Sequence, residues 1–186
     1  MNEHGNGAAR FALFETAIGQ CGLAWGEQGI VGVQLPEPRE GATRARLIRR
    51  LGVASEATPP AEIQQAIDGI VALLAGEQRD LTGIPLDMRQ VPDFNRQVYE
   101  VARTVPPGRT ITYGEIATRL GEKRLSREVG QALGQNPFAI VVPCHRVVAA
   151  GGKPGGFSAS GGTQTKLKML AIEGATATPM LPLFDA

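Results

Sequence analysis

Apolar residues alternate with polar or small ones between Phe11 and Leu35 in three runs: Phe11 to Ile18, Gly22 to Trp25, and Ile30 to Leu35. A period of two predicts strands, with alternate side chains lining one face. Gly26-Glu27-Gln28-Gly29 separates the second and third runs as a turn, so the three read as a meander. The period then changes. Thr43 to Leu51 is a short basic helical stretch, and Ile63, Ile67, Ile70, Val71 and Leu74 recur on one face of a helix over 61–74. Gly76 to Gly83 reads as a loop and Pro85-Leu86-Asp87-Met88 as a last short strand.

Beyond Val91-Pro92 the pattern is mainly helical. Phe94, Val98, Val101 and Ala102 recur at helical spacing up to Val105, where Pro106-Pro107-Gly108 ends the helix. Thr112 with Glu115 three residues on is a capping-box pattern and opens a short helix to Leu120, stopped by Gly121. A second helix runs from Ser126 through Gln135. Its stripe Leu125, Val129, Leu133 faces inward and its stripe Arg127, Gln131, Gln135 outward. Two short helices across a tight glycine-containing connection fit a helix-turn-helix. Gly130 and Gly134 lie inside the second helix, where each costs about 1 kcal/mol relative to Ala. Close approach of a DNA backbone and tight helix packing both explain such a low surface. The change of element type places a boundary between Gly83 and Pro92, giving a small α/β unit over 1–88 and a second unit over 89–186.

Val141-Val142-Pro143-Cys144-His145-Arg146-Val147-Val148 carries the candidate chemistry. Its apolar flanks predict a short buried strand that holds Cys144 rigidly. A thiol reacts as its thiolate, and neighbouring His and Arg favour that form. Adjacent residues of a strand point to opposite faces, so a direct Cys144–His145 dyad requires a kink or a bridging water; Pro143 is one source of irregular geometry. The alternative is a small buried hydrophobe, the common state of a free cysteine.

Composition narrows the classes. In 186 residues, 42% are apolar, enough for a core. Residues 1–85 carry seven basic and ten acidic side chains, and residues 86–186 carry twelve and eight, so the second part is the basic one. That suits phosphate contact. Cys21 and Cys144 stand far apart without a CxxC pair, and the only histidines are His4 and His145, which excludes a disulfide scaffold and a zinc ligand set. Cys21 and Trp25 read as core residues. A polar, Gly-rich start and the lack of about 18 uninterrupted apolar residues predict a cytoplasmic protein. No apolar heptad asks for a partner, so a monomer is expected.

Pro143-Cys144-His145-Arg146-Val147 resembles the active-site motif of the O6-alkylguanine-DNA alkyltransferases, and Ser126-Arg127-Glu128-Val129-Gly130 through Asn136-Pro137 matches that family's segment in order and spacing. The resemblance covers roughly Pro92 to Gly174 and, more loosely, the N-terminal part. It implies an α/β N-terminal domain of ribonuclease H-like fold followed by a mainly α C-terminal domain with a winged-helix-like helix-turn-helix. It also implies direct-reversal repair. Cys144 takes a methyl or other alkyl group from O6 of guanine, and possibly from O4 of thymine, in double-stranded DNA. The transfer is irreversible, single-turnover and free of cofactor or metal, and the protein is nucleoid-associated while on DNA.

The resemblance further assigns roles. His145 deprotonates Cys144 through a water, Glu173 orients the imidazole, Asn136 braces the turn before the cysteine, and Tyr113 donates a proton to the departing base. Arg127 enters the duplex where the base has been rotated out, with Gly130, Gln131 and Gly134 on the same DNA-facing helix. Phe157, Ser158 and the backbone around Val148 complete the base pocket. Two departures stand out. Phe157 replaces a frequent tyrosine, and the loop from Ser158 to Gly162 is two residues longer than usual; Phe157 walls a base but donates no hydrogen bond. Tyr99 stands where tryptophan is frequent, and Gln131 where the residue is often small. A cysteine hydrolase built on Cys144, His145 and Glu173, and a non-catalytic lesion-binding protein or regulator, are the competing readings.

Overall fold

The computed structural model describes residues 8–52 and 54–175; His4 and the last eleven residues lie outside them. The meander forms as expected. Strands β1 (Ala9–Thr16), β2 (Gly19–Gly26) and β3 (Gly29–Gln34) pair antiparallel in that order. The first run ends two residues earlier than its apolar pattern, because Thr16 turns the chain: its hydroxyl donates to Gly19 O at 2.7 Å and accepts from Ile18 N–H at 3.2 Å. A fourth strand, β4 (Ala54–Glu56), lies parallel to β1 at the sheet edge. Three mostly polar residues carry no period, so the sequence does not announce it.

Helices α1 (Ala42–Leu51) and α2 (Ala61–Leu74) cover opposite faces of the sheet. The alternation of β1 and β2 sorts the two contacts: Phe11 and Ala24 pack with Leu47 of α1, while Ala12 and Leu23 join the main core with Ile63, Ile67 and Ile70 of α2. Gly22 suits this contact, since a Cβ there would stand 2.8 Å from Leu47 Cδ2 and the leucine side chain would have to shift. Cys21 and Trp25 are buried in the core. The last predicted strand shrinks to one bridge, Leu86 beside Ile30, with Ile30 N–H donating to Pro85 O and Asp87 N–H donating to Ile30 O. Pro85 has no N–H to extend that ladder.

The second part holds α3 (Asp93–Arg103), β5 (Ile111–Thr112), α4 (Tyr113–Arg119), α5 (Ser126–Gly134), β6 (Val147–Val148) and α6 (Thr163–Ile172). The capping box is present in both directions: Thr112 Oγ1 accepts from Glu115 N–H at 3.1 Å and Glu115 Oε2 accepts from Thr112 N–H at 2.7 Å. Gly121, at φ 98°, ends α4, and a 3₁₀ turn over Lys123–Leu125 leads into α5. Val129 and Leu133 are buried, while Arg127, Gln131 and Gln135 are exposed. The two parts share one core, which runs from Leu23 and Ile70 to Val98, Ile116 and Val142. At the seam, Val33 N–H donates to Pro137 O at 2.8 Å, and Val33 bridges Phe138. The edge of the sheet is thereby tied to the segment that carries the cysteine.

Candidate active site

Cys144 is not on a strand. Its N–H donates to Val142 O at 2.8 Å across Pro143, whose φ of −80° and ψ of 66° are those of an inverse γ-turn. The chain then enters a 3₁₀ turn, Cys144–Arg146, closed by Arg146 N–H to Pro143 O at 2.9 Å. Only Val147 and Val148 are extended, paired in parallel with Ile111 and Thr112. The expected strand is therefore corrected: proline fixes φ and withholds a donor, so the chain turns before the cysteine. Three residues per turn set successive side chains about 120° apart instead of on opposite faces.

The approach to this turn is over-determined. Asn136 Nδ2 donates to Val142 O and Asn136 Oδ1 accepts from Phe138 N–H, both at 2.9 Å. Between them Ile140 has φ 75°, strained for a β-branched residue by about 1–3 kcal/mol. Bonds from Val141 N–H to Ala139 O and from Val142 N–H to Phe138 O hold it.

Behind the cysteine lies a buried polar network. His145 Nε2 meets Glu173 Oε1 at 2.7 Å. Arg146 donates to both oxygens of Glu173 at 2.9 and 2.8 Å and to Val105 O at 2.7 Å. Burial alone would raise the Glu173 pKa, but hydrogen bonds from His145 and Arg146 outweigh it and hold the carboxyl at about 2. Glu173 is thus ionised and accepts from Nε2–H. Burial lowers the His145 pKa against the pull of Glu173, so the imidazole is neutral. Its Nδ1 is buried without a protein partner and keeps a free lone pair.

Burial raises the Cys144 pKa. The opposing influences are a hydrogen bond from Asn136, the charge of Lys166 and the backbone N–H groups of Cys144 and His145. Lys166 was not singled out from the sequence. It is fully buried, and its Nζ donates to Val147 O at 2.5 Å, Gly156 O at 3.2 Å and Tyr113 Oη at 3.5 Å. Burial lowers its pKa to about 8 despite the stabilising proximity of Cys144. Tyr113 also packs against the loop: a Cβ on Gly155, at φ 75°, would stand 2.6 Å from its hydroxyl. Burial, and then the nearby Cys144, raise the Tyr113 pKa.

A cavity of about 460 Å³ opens over this arrangement, lined by Tyr113, Gly130, Gly134, Cys144, Phe157 and Ser158. Five of the expected site residues and Cys144 are thus brought together. Gly130 and Gly134 would meet nothing closer than 3.9 Å with an added Cβ, so helix packing does not demand them. Val148 does not line this cavity, and its side chain packs with Leu170 and Ala175, because alternation along β6 sends only Val147 toward the main core. Arg127 is exposed and borders a groove of about 740 Å³ with Tyr113, Glu115, Arg119 and Lys123. Gln131 is exposed on α5, outside both. Among the described residues no group of three His, Cys, Asp or Glu side chains could hold a metal ion, and no helix is long and apolar enough to cross a membrane.

Residues 93–175 match the family model described as 6-O-methylguanine DNA methyltransferase, DNA binding domain. A Mycobacterium tuberculosis methylated-DNA–protein-cysteine methyltransferase is 41% identical over 126 residues, covering 68% of this chain and 74% of the relative. The chain belongs to the methylated-DNA–protein-cysteine methyltransferase family. The relative of that name from Methanosarcina acetivorans is 32% identical over 89% of this chain and 98% of its own. Among solved structures, M. tuberculosis OGT in complex with DNA aligns with a TM-score of 0.69 at 32% identity, over 90% of this chain and 96% of that one.

Within this methyltransferase fold, sequence reasoning passed over Lys166 and the clamp role of Arg146. A signal existed for the first. Lys166, Met169, Leu170 and Glu173 follow helical spacing, and a lysine on an otherwise apolar stripe is out of place unless its ammonium is bonded.

Proposed function

We propose that Cys144 is the alkyl acceptor in direct-reversal repair of O6-alkylguanine in duplex DNA, the activity that belongs to this family. The observation that carries the assignment is the bare Nδ1 of a neutral His145, whose Nε2 is locked on ionised Glu173, next to a half-buried thiol that opens on a cavity. A water bonded to Nδ1 passes the thiol proton to His145. The thiolate attacks the alkyl carbon in line with the bond to O6. An S–C bond forms, the C–O6 bond breaks, and its electron pair leaves on guanine. Tyr113 donates a proton to the leaving base, which departs neutral. Lys166 holds Tyr113 and the loop through Gly156 in place, and its charge favours both the thiolate and a transient phenolate. The product thioether does not hydrolyse, so each molecule acts once, and no step requires a cofactor.

A base stacked in a duplex lies beyond the thiolate, so the nucleotide must rotate out. Arg127, on the exposed face of α5, fills the space it leaves; Gly130 and Gly134 keep the surface low for the strand, and Gln131 contacts the groove. Phe157 and Ser158 wall the extruded base. The short β5–β6 ladder beside α4 and α5 supports a winged-helix-like DNA module, and the two-faced sheet supports a ribonuclease H-like partner. We infer a monomer acting in the cytoplasm.

Incubation with a duplex containing one O6-methylguanine, followed by intact mass, tests the assignment. The gain of a single methyl, mapped to Cys144 and lost in Cys144→Ala, is expected. Binding without any mass gain would assign lesion recognition instead, and repeated turnover would assign a hydrolase.

A further inference from the structure

Two cavities meet at Cys144. The first, over Tyr113 and Gly130, is the side from which the base enters. The second, of about 250 Å³, shares Cys144, Leu133, Gly134, Phe157 and Ser158 with it and continues in another direction, past Ala139 and Ala159 to Gln34, Arg46 and Arg50 of the sheet half. In-line displacement places sulfur, alkyl carbon and O6 on one axis, so any further substituent on that carbon must leave the axis sideways. A methyl group needs no such space. A longer alkyl group does, and the second cavity provides it directly beside the sulfur.

Its walls differ in chemistry. Ala139, Ala159 and the ring of Phe157 give it a small and apolar wall, interrupted by the polar Gln135, Asn136 and Ser158, and Arg46 and Arg50 make its sheet-half wall cationic. Arg46 is neutralised by Glu37 at 2.5 Å. Arg50 is not: its Nη1 donates to Gln34 Oε1 at 2.7 Å and more distantly to Val33 O at 3.4 Å, and among the described residues no carboxylate pairs with it. Gln34 is itself buried, with its Nε2 bonded to Leu35 O at 3.0 Å, so the anchor that aims Arg50 is fixed. A guanidinium held without a counter-charge on the wall of a cavity that also touches the sulfur matches an alkyl chain that is anionic at its tip.

We propose that this second cavity receives the distal part of longer O6-alkyl groups and that Arg50 selects those ending in a carboxylate. The proposal rests on alkyl transfer to Cys144. Arg50 acts as a specificity residue for the alkyl group, remote from the bonds that change.

Single-turnover rates on three duplexes test it, carrying O6-methylguanine, O6-carboxypropylguanine or its neutral isostere O6-carbamoylpropylguanine, with the wild-type chain and Arg50→Gln. The wild type is expected to take the carboxypropyl group about fivefold faster than the carbamoylpropyl group, as one partly exposed ion pair allows. Arg50→Gln should bring the two to equal rates and leave methyl transfer unchanged within about twofold. Equal rates in the wild type, a preference that survives Arg50→Gln, or failure to transfer either longer group would each overturn the proposal. A uniform slowing of all three substrates with weaker DNA binding would assign Arg50 to a backbone phosphate and overturn it as well. Methyl transfer in the wild type is the separate gauge of the underlying reading: its absence refutes both, and its presence with equal longer-chain rates refutes the specificity alone.

Discussion

The sheet half and the helical half of this molecule bury their polar groups on different terms. Among the described residues the sheet half encloses only Gln34 and Thr43, both neutral, whereas the helical half encloses His145, Arg146, Lys166 and Glu173. Its two cysteines differ in the same way. Cys21 lies in the sheet core, where burial pushes its pKa to about 12 with only a weak bond to Thr16 in opposition. Cys144 is also raised by burial, but Asn136, Lys166 and two backbone N–H groups all pull toward the thiolate. What sets Cys144 apart from Cys21 is its opening onto a cavity and the donors and charge aimed at its sulfur. A buried ion costs several kcal/mol unless paired, so four ionisable groups in one place identify the half that was shaped by chemistry.

The strongest way to break this comparison is to exchange the fates of the cysteines. Cys144→Ala should abolish alkyl uptake completely, while Cys21→Ala should retain it; uptake mapped by mass to Cys21 would remove the distinction. Next in size, Glu173→Ala strands His145 and Arg146 in the interior and should cost about 3–5 kcal/mol in denaturant unfolding. Acid probes the same group. The unfolded carboxyl, near 4.5, takes up a proton before the native one at about 2, so the native state loses stability as pH falls through that window, by about 3 kcal/mol for this residue. The lowered His145 pKa acts in the same direction at higher pH, because the unfolded imidazole protonates first. A pH titration of stability that stays flat below 4.5 would contradict the pairing of Glu173.

Tyr113→Phe sharpens the comparison within the helical half, since it removes one proton donor and little volume. Transfer should slow about 100-fold with DNA affinity retained, measured by quenched single-turnover assays. The smallest effect concerns helix ends. α2 starts at Pro60 without a side-chain cap and depends on packing, whereas α4 starts at a full capping box. Thr112→Ala should therefore cost about 1 kcal/mol in thermal unfolding.

Much of the architecture was legible in the pattern of residues. The meander, the helix over 61–74, the inward stripe of α5 and the cap at Thr112 are all local signals, and each was realised. β4 was missed because three residues parallel to β1 carry no local signature; their pairing depends on a partner far away in the chain. The strand expected around Cys144 failed for a different reason. Val141, Val142, Val147 and Val148 have the composition of a strand, but Pro143 and the hydrogen bonds from Asn136 turn the chain between them. Pro143-Cys144-His145-Arg146-Val147 carried the resemblance to the family, and the roles proposed for Tyr113, Asn136, Cys144 and His145 rest on it. Val148, expected to serve the pocket through its backbone, turns its side chain toward Leu170 and Ala175.

The sequence by itself determined the periodic elements, the cap of α4 and the motif that singles out Cys144 as the candidate nucleophile, because those depend on neighbours within a few positions. Only the tertiary structure decided that Glu173 reaches His145 with Nδ1 left bare, that Lys166 braces Tyr113, and that Arg50 of the sheet half borders the cavity of Cys144. Each joins residues between 28 and 94 positions apart in the chain. No local periodicity encodes such meetings; they are set by which surfaces the shared core brings into contact and by the need of every buried charge for a partner.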